Sequence, residues 1–358
     1  MRNPTSSSRT RPRLVRQSDQ NSRSAFTLIE LVVVIMIIAI LASLLMVGVQ
    51  GAVARARETA VGVDVKNLEQ GIKEFQSSFK LSEPPPSRIA LYELYDDWPD
   101  VSTATGNTAA HKSIRQNVAT IRKLWPSFLD KNGKPAVGSM WEADIDGDGT
   151  ASKTFELTGA ECLVFFLGGT MSFDAPTTKY TANGFSADPR DPLKAGGTRI
   201  GPFTEFNPSR LRDTTGNSFP EYIDAFPGSS QPYQYFSAYG GRGYRLLGDN
   251  DAVGGTGADA DEILPSNTLR SPYLQRDTQW PNPSGMPSIP AGNPPEGTAW
   301  SAKGYQIISA GADGQWGRGG ETSSDGIRIY DATDAFRDSA NRAVEKDNIT
   351  SFKGGRLN

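Results

Sequence analysis

Along the chain, the mix of polar and apolar positions changes abruptly. Residues 1–25 (MRNPTSSSRTRPRLVRQSDQNSRSA) are almost wholly polar, which predicts a disordered segment. Leu31–Val49 (LVVVIMIIAILASLLMVGV) is then apolar all round, interrupted only by Ser43 and Gly48. Nineteen such residues in a helix rise about 28 Å, roughly the hydrocarbon thickness of a bilayer. A cleaved secretory signal would have a shorter apolar region ending in an Ala-x-Ala site, so the pattern predicts a single membrane span.

The helical period continues beyond the span. Val49, Ala52, Val53, Ala56, Ala60, Val63, Ile72, Phe75 and Phe79 recur mostly at spacings of three and four, predicting one apolar stripe on a stem helix. Glu83-Pro84-Pro85-Pro86 should stop it. A helix from Phe26 to about Phe79 would be roughly 80 Å long, with its second half packed on a head. Too many small residues and no sustained heptad argue against a coiled coil. Further on, His111–Leu129 reads as an amphipathic helix ending near Pro126, with His111 facing solvent. Ala160–Leu167 reads as a short buried helix or strand stopped by Gly168-Gly169, with Cys162 a packed thiol. Residues 170–300 are dominated by turn formers, with an acidic run from Asp249 to Glu262 read as a solvated loop.

Composition narrows the functions available. The 358 residues hold 37 Lys+Arg against 40 Asp+Glu, with one Cys and one His. An internal disulfide, a Cys/His zinc site and most His-dependent catalysis are thereby excluded. Charge is also divided unevenly. Residues 1–25 contain six Arg and one acid and carry +5; the remaining 333 residues hold 31 Lys+Arg against 39 Asp+Glu, a balance of −8. An acidic bulk argues against nucleic-acid binding. Six Arg before the span, with only Arg55 and Arg57 close after it, predict a cytoplasmic N-terminus and an exported head.

Glu30 stands out at the start of the apolar run. An ionised carboxylate there is expensive unless paired, although a position near a helix N-terminus favours negative charge. The surrounding residues, Ser24-Ala25-Phe26-Thr27-Leu28-Ile29-Glu30-Leu31-Val32-Val33-Val34-Ile35, resemble the cleavage and methylation motif of type IV prepilins and type II secretion pseudopilins. The resemblance implies cleavage of the Ala25–Phe26 bond by a prepilin peptidase/methyltransferase and methylation of the new Phe26 amine. It also implies an assembly role for Glu30, whose carboxylate would meet a neighbouring subunit's amine. Ala25 stands where the family usually has Gly, and the leader is longer than most.

Two segments carry candidate calcium chemistry. Asp144-Ile-Asp146-Gly-Asp148-Gly149 matches the opening of a calcium loop, with Glu156 one residue beyond the closing position, which falls at Phe155. A metal-free Asp/Gly turn fits the same residues. Tyr222–Tyr235 and Tyr305–Gly314 resemble the C-terminal strands and Ser-x-Gly-x-Asp-Gly segment of the major (G-type) pseudopilin. That resemblance implies a calcium ion held by Asp313, Asp325 and Ser324. The match covers about residues 26–80 and 220–330, leaving a large middle insertion.

The expected fold is therefore α+β and pilin-like: a long N-terminal helix packed on a small antiparallel sheet, with looped and helical insertions. The expected organisation is a leader over 1–25, a transmembrane and stem helix over 26–80, an insertion over 81–220 and a β-rich head over 221–358. The resemblance implies a structural, non-enzymatic subunit of the bacterial inner membrane, with a periplasmic head. Its expected partners are the peptidase, further copies and minor pseudopilins in a fibre for protein export, and the inner-membrane secretion platform. A surface type IV pilin or adhesin is the alternative. A membrane-tethered enzyme is less favoured, because G-x-S-x-G, G-x-x-x-x-G-K-[ST] and H-E-x-x-H are all absent from the sequence.

Overall fold

The structure, a computed structural model, describes residues 27–238, 300–301, 303–315, 322–323, 326–327 and 347–356. The chain divides into two compact units, Met1–Val53 and Ala54–Asn358. One helix, α1 (Leu28–Phe79), contributes to both. In the first unit its large apolar side chains lie open: Leu28 is 82% exposed, Ile37 52% and Leu44 69%. Among the described residues this is the one helix long and apolar enough to cross a membrane.

From Ala54 onward α1 joins a packed core, through a face only partly matching the predicted stripe. Ile72 and Phe75 are buried and Phe79 packs on the core, as the period predicts. Nearer Ala54 the buried positions are Val61, Val65 and Leu68, whereas Ala60 and Val63 face outward. Two apolar stripes lie on different sides of the helix, and periodicity alone merges them. The helix ends in a 6→1 bond from Leu81 N–H to the Gln76 carbonyl (2.8 Å), with Lys80 in the left-handed region. Leu81 then packs on the core, the usual hydrophobic closure of such a stop.

The rest of this unit is built from short antiparallel ribbons. β1 (Arg88–Tyr92) pairs with β2 (Thr154–Thr158), and between them lies helix α2 (Ala109–Leu124), capped by Thr108. Asn117 of α2 completes the outer edge of β1 by bonding both the N–H and the C=O of Ala90 at 2.9 Å. His111 is not free in solvent: its Nδ1 is buried against Gly106, where even a Cβ would come within 2.5 Å.

The apolar segment after β2 forms a helix, α3 (Gly159–Gly168), buried on every side as its all-round apolarity requires. Cys162 is buried there, its thiol donating to the Leu157 carbonyl. Then come β3 (Met171–Asp174) with β4 (Lys179–Ala182), β5 (Phe185–Ser186) with β6 (Arg199–Ile200), and β7 (Leu211–Arg212) with β8 (Glu221–Tyr222). Residues 81–220, expected as a helical and looped insertion, thus carry paired strands as well.

The largest sheet has four strands in the order β14-β13-β10-β9, using β9 (Gln234–Ser237), β10 (Tyr305–Ser309), β13 (Ile349–Thr350) and β14 (Gly355–Arg356). A small ribbon, β11 (Thr322–Ser323) with β12 (Gly326–Ile327), precedes β13. The fold is α+β, consistent with a pilin-like architecture. One hydrophobic cluster runs from Val61 on α1 through α2, α3 and the ribbons to Ile349, so the middle residues share the core. A polar clasp adds to it: Asp64 of α1 accepts from Arg210 Nη1 (2.7 Å) and the Tyr233 hydroxyl (3.0 Å), while the Arg210 guanidinium lies over Tyr222.

Candidate functional site

At the membrane end, the sequence places Thr27 before the apolar run and Glu30 three residues later, the spacing of a capping box. The structure forms one. Glu30 Oε2 accepts from both the backbone N–H and the hydroxyl of Thr27 at 2.9 Å, and Thr27 Oγ1 accepts from the Glu30 N–H at 3.3 Å. Glu30 is therefore a hydrogen-bonded carboxylate fixed at a helix N-terminus, where the dipole favours it. Ala25 and Phe26 lie outside the described residues.

At the C-terminal end, Asp313 follows β10 in a turn built on Gly311. Gly311 has φ of +72°, and a Cβ there would lie 2.6 Å from the Asp347 backbone oxygen. Asp347 Oδ2 accepts the N–H groups of Ala312 (2.6 Å) and Asp313 (3.0 Å), drawing two acidic residues together. Partial desolvation, with the Asp347 charge adding to it, pushes the Asp313 carboxyl above its ordinary range. Asp347 Oδ1 is buried without a hydrogen-bond partner among the described residues. Beneath the turn, Gly311 N–H donates to Ser309 Oγ (3.1 Å), and the Ser309 hydroxyl donates to the buried carboxylate of Asp224. Ser324 and Asp325 lie outside the described residues. Asp347 is 34 residues from Asp313, and no motif marks it.

The middle acidic segment forms an ordered loop. Asp144, Asp146 and the buried Glu93 bring carboxylate oxygens within 4.8 Å of one another. Glu93 accepts three backbone N–H groups at 2.8 Å: Ile145 on Oε1, and Ser152 and Lys153 on Oε2. Asp144 accepts from Gly147 (2.7 Å) and Gly149 (2.9 Å). Asp146 and Asp148 each present an oxygen to Lys153 Nζ at 2.5 Å. Burial pushes the carboxyls of Glu93 and Asp146 up, while hydrogen bonds from Lys153 and Thr150 hold Asp148 down at about 2.

Glu156 is not part of this group. Strand alternation in β2 buries Phe155 and Leu157 and turns Glu156 outward, 3.7 Å from Arg88. The carboxylate that joins the aspartates is instead Glu93, just after β1, which the local spacing could not reveal.

Residues 20–46 match the family described as the prokaryotic N-terminal methylation motif. The match supports the type IV pilin and pseudopilin family, and it overlaps the Thr27–Glu30 box and most of the apolar run. Proteins of that family are structural subunits, and the motif implies processing by a prepilin peptidase and assembly into multi-subunit fibres. No curated protein and no solved structure matches the chain.

Proposed function

We propose that this chain is a type II secretion pseudopilin-like subunit, cleaved at Ala25–Phe26, methylated on Phe26 and assembled into a periplasmic fibre for protein export. The observation that carries the reading is the methylation motif centred on a Glu30 carboxylate already fixed at the start of an exposed apolar helix. In lipid, the Thr27 donors satisfy that carboxylate. In a fibre, a neighbour's Phe26 amine would meet it as an ion pair, a contact suited to setting register. The Arg-rich leader supports a cytoplasmic N-terminus and a periplasmic head, with the secretion platform as the inner-membrane partner. Intact-mass analysis of the chain purified from membranes tests this. A product beginning at N-methylated Phe26 is expected, and one beginning at Met1 would overturn the reading. Locating the fibre inside or outside the outer membrane separates an export pseudopilin from a surface pilin.

Calcium is part of the same proposal, at the C-terminal turn. Asp313 and Asp347 are hard oxygen donors held close, and Asp347 Oδ1, which has no hydrogen-bond partner among the described residues, is an oxygen a cation would use. A bound cation there would neutralise the charge that raises Asp313. A calcium-induced rise in melting temperature that disappears in Asp313→Ala is the expected result.

A further inference from the structure

The Asp144–Asp148 loop has the spacing of a divalent-cation loop, yet its donors are already committed. Both oxygens of Glu93 and both oxygens of Asp144 accept backbone N–H groups. Asp146 Oδ1 accepts from Asp148 N–H, and Asp148 Oδ1 accepts from the N–H and hydroxyl of Thr150. The two oxygens left, Asp146 Oδ2 and Asp148 Oδ2, converge on Lys153 Nζ at equal distances of 2.5 Å. Calcium needs six to eight oxygens at 2.3–2.6 Å and usually a bidentate carboxylate to close the loop. The residue at that closing position is Phe155, fully buried in the core, and the adjacent Glu156 faces away. The donor set therefore does not fit calcium, although the three-aspartate spacing suggests it.

We propose that the Lys153 ammonium is the resident cation of this loop, tethered where the Asp-x-Asp-x-Asp spacing would otherwise place a divalent ion. The arrangement has a physical rationale. Carboxylates gathered this closely repel one another, and Asp146 is nearly inaccessible to solvent counter-ions. A cation supplied by the chain itself is present at any metal concentration. Its backbone is pinned as well, since the Lys153 N–H bonds Glu93 and its C=O accepts from Glu93 N–H at 3.1 Å. The loop then braces β3, through Met171 N–H to the Ile145 carbonyl and Phe173 N–H to the Gly147 carbonyl.

Hydrogen exchange with mass spectrometry on the detergent-solubilised full chain tests this, reading peptides over residues 141–158 in excess calcium and in chelator. The wild-type loop is expected to exchange at the same rate in both, and Lys153→Met, which keeps the aliphatic stem, about tenfold faster in chelator. Calcium slowing the wild-type loop tenfold would overturn the proposal, as would Lys153→Met remaining as protected as wild type. Peptides over β10 report whether the variant is folded. Should they also lose protection, Asp148→Asn replaces it, removing one of the two ammonium partners. That variant is expected to open the loop several-fold faster, and unchanged protection in it would overturn the proposal. Calcium effects on a peptide containing Gly311–Gln315 bear on the C-terminal turn alone, so the two readings fail separately.

Discussion

Replacing Glu93 by Gln changes one atom's chemistry at a fully buried position. If the remaining carbonyl oxygen keeps the Ser152 and Lys153 N–H groups, the new amide faces the Ile145 N–H across 2.8 Å, donor against donor. One buried N–H is then unsatisfied, which costs about 1–3 kcal/mol, and two charge-assisted bonds become neutral ones. The loss is partly offset because burial disfavours the carboxylate's charge, as its raised pKa shows. The net expectation is a destabilisation of about 2–3 kcal/mol, read as a fall of roughly 1 M in the urea midpoint. Near-ultraviolet circular dichroism is a suitable signal, because Trp141 lies three residues before Asp144 and packs edge-on against Trp98. A change below about 0.5 kcal/mol would refute the reasoning, since the three N–H groups would then have found other acceptors.

Other outcomes follow from the same geometry. Gly147→Ala should destabilise by at least about 2 kcal/mol, because φ is +80° and the new Cβ would lie 2.4 Å from the Met171 carbonyl oxygen; thermal melting checks it. By NMR titration, Asp148 should titrate near 2 in the wild type and return toward its ordinary value in Lys153→Met. A depressed folded-state pKa stabilises above the unfolded value, so this contribution is present above about pH 4 and lost as pH falls toward 2. Tyr233→Phe should cost about 1 kcal/mol by removing its bond to Asp64; adding Asp64→Asn should cost more, because it also weakens the Arg210 ion pair, and a double-mutant cycle in urea melts should return the Tyr233–Asp64 coupling. Glu30→Ala should insert in membranes normally but fail to enter fibres, and normal assembly of that variant would sink the role given to Glu30.

Local signals are legible in the sequence, and long-range ones are not. The apolar span, the stop before the prolines and α2 each rest on residues a few positions apart, whereas the bonds between Thr27 and Glu30 emerge only in the structure. Val61, Val65 and Leu68 do not stand out, because Ala60 and Val63 offer an equally regular stripe on another side of the helix. Choosing between them requires knowing where the core lies. The acidic loop shows the same limit from the opposite direction. Its three aspartates announce themselves by spacing, but the residue that organises them, Glu93, reaches Ile145 across 52 positions. The Asp313–Asp347 pair likewise depends on a sheet that brings β10 beside β13. Glu156 fits the local pattern almost in register, but strand alternation in β2 turns it outward.

The Thr27–Glu30 box also bears on how such a chain would leave a membrane. A carboxylate carrying its own two donors enters lipid already solvated, in the sense that its hydrogen bonds travel with it. In the proposed fibre a neighbour's amine would take over some of that role, so extraction is an exchange of donors rather than the rescue of a bare charge. Exchanges that conserve hydrogen-bond number have small net free energies in either direction. On the proposed function, a subunit built this way would be suited to being drawn out of the bilayer and returned to it many times.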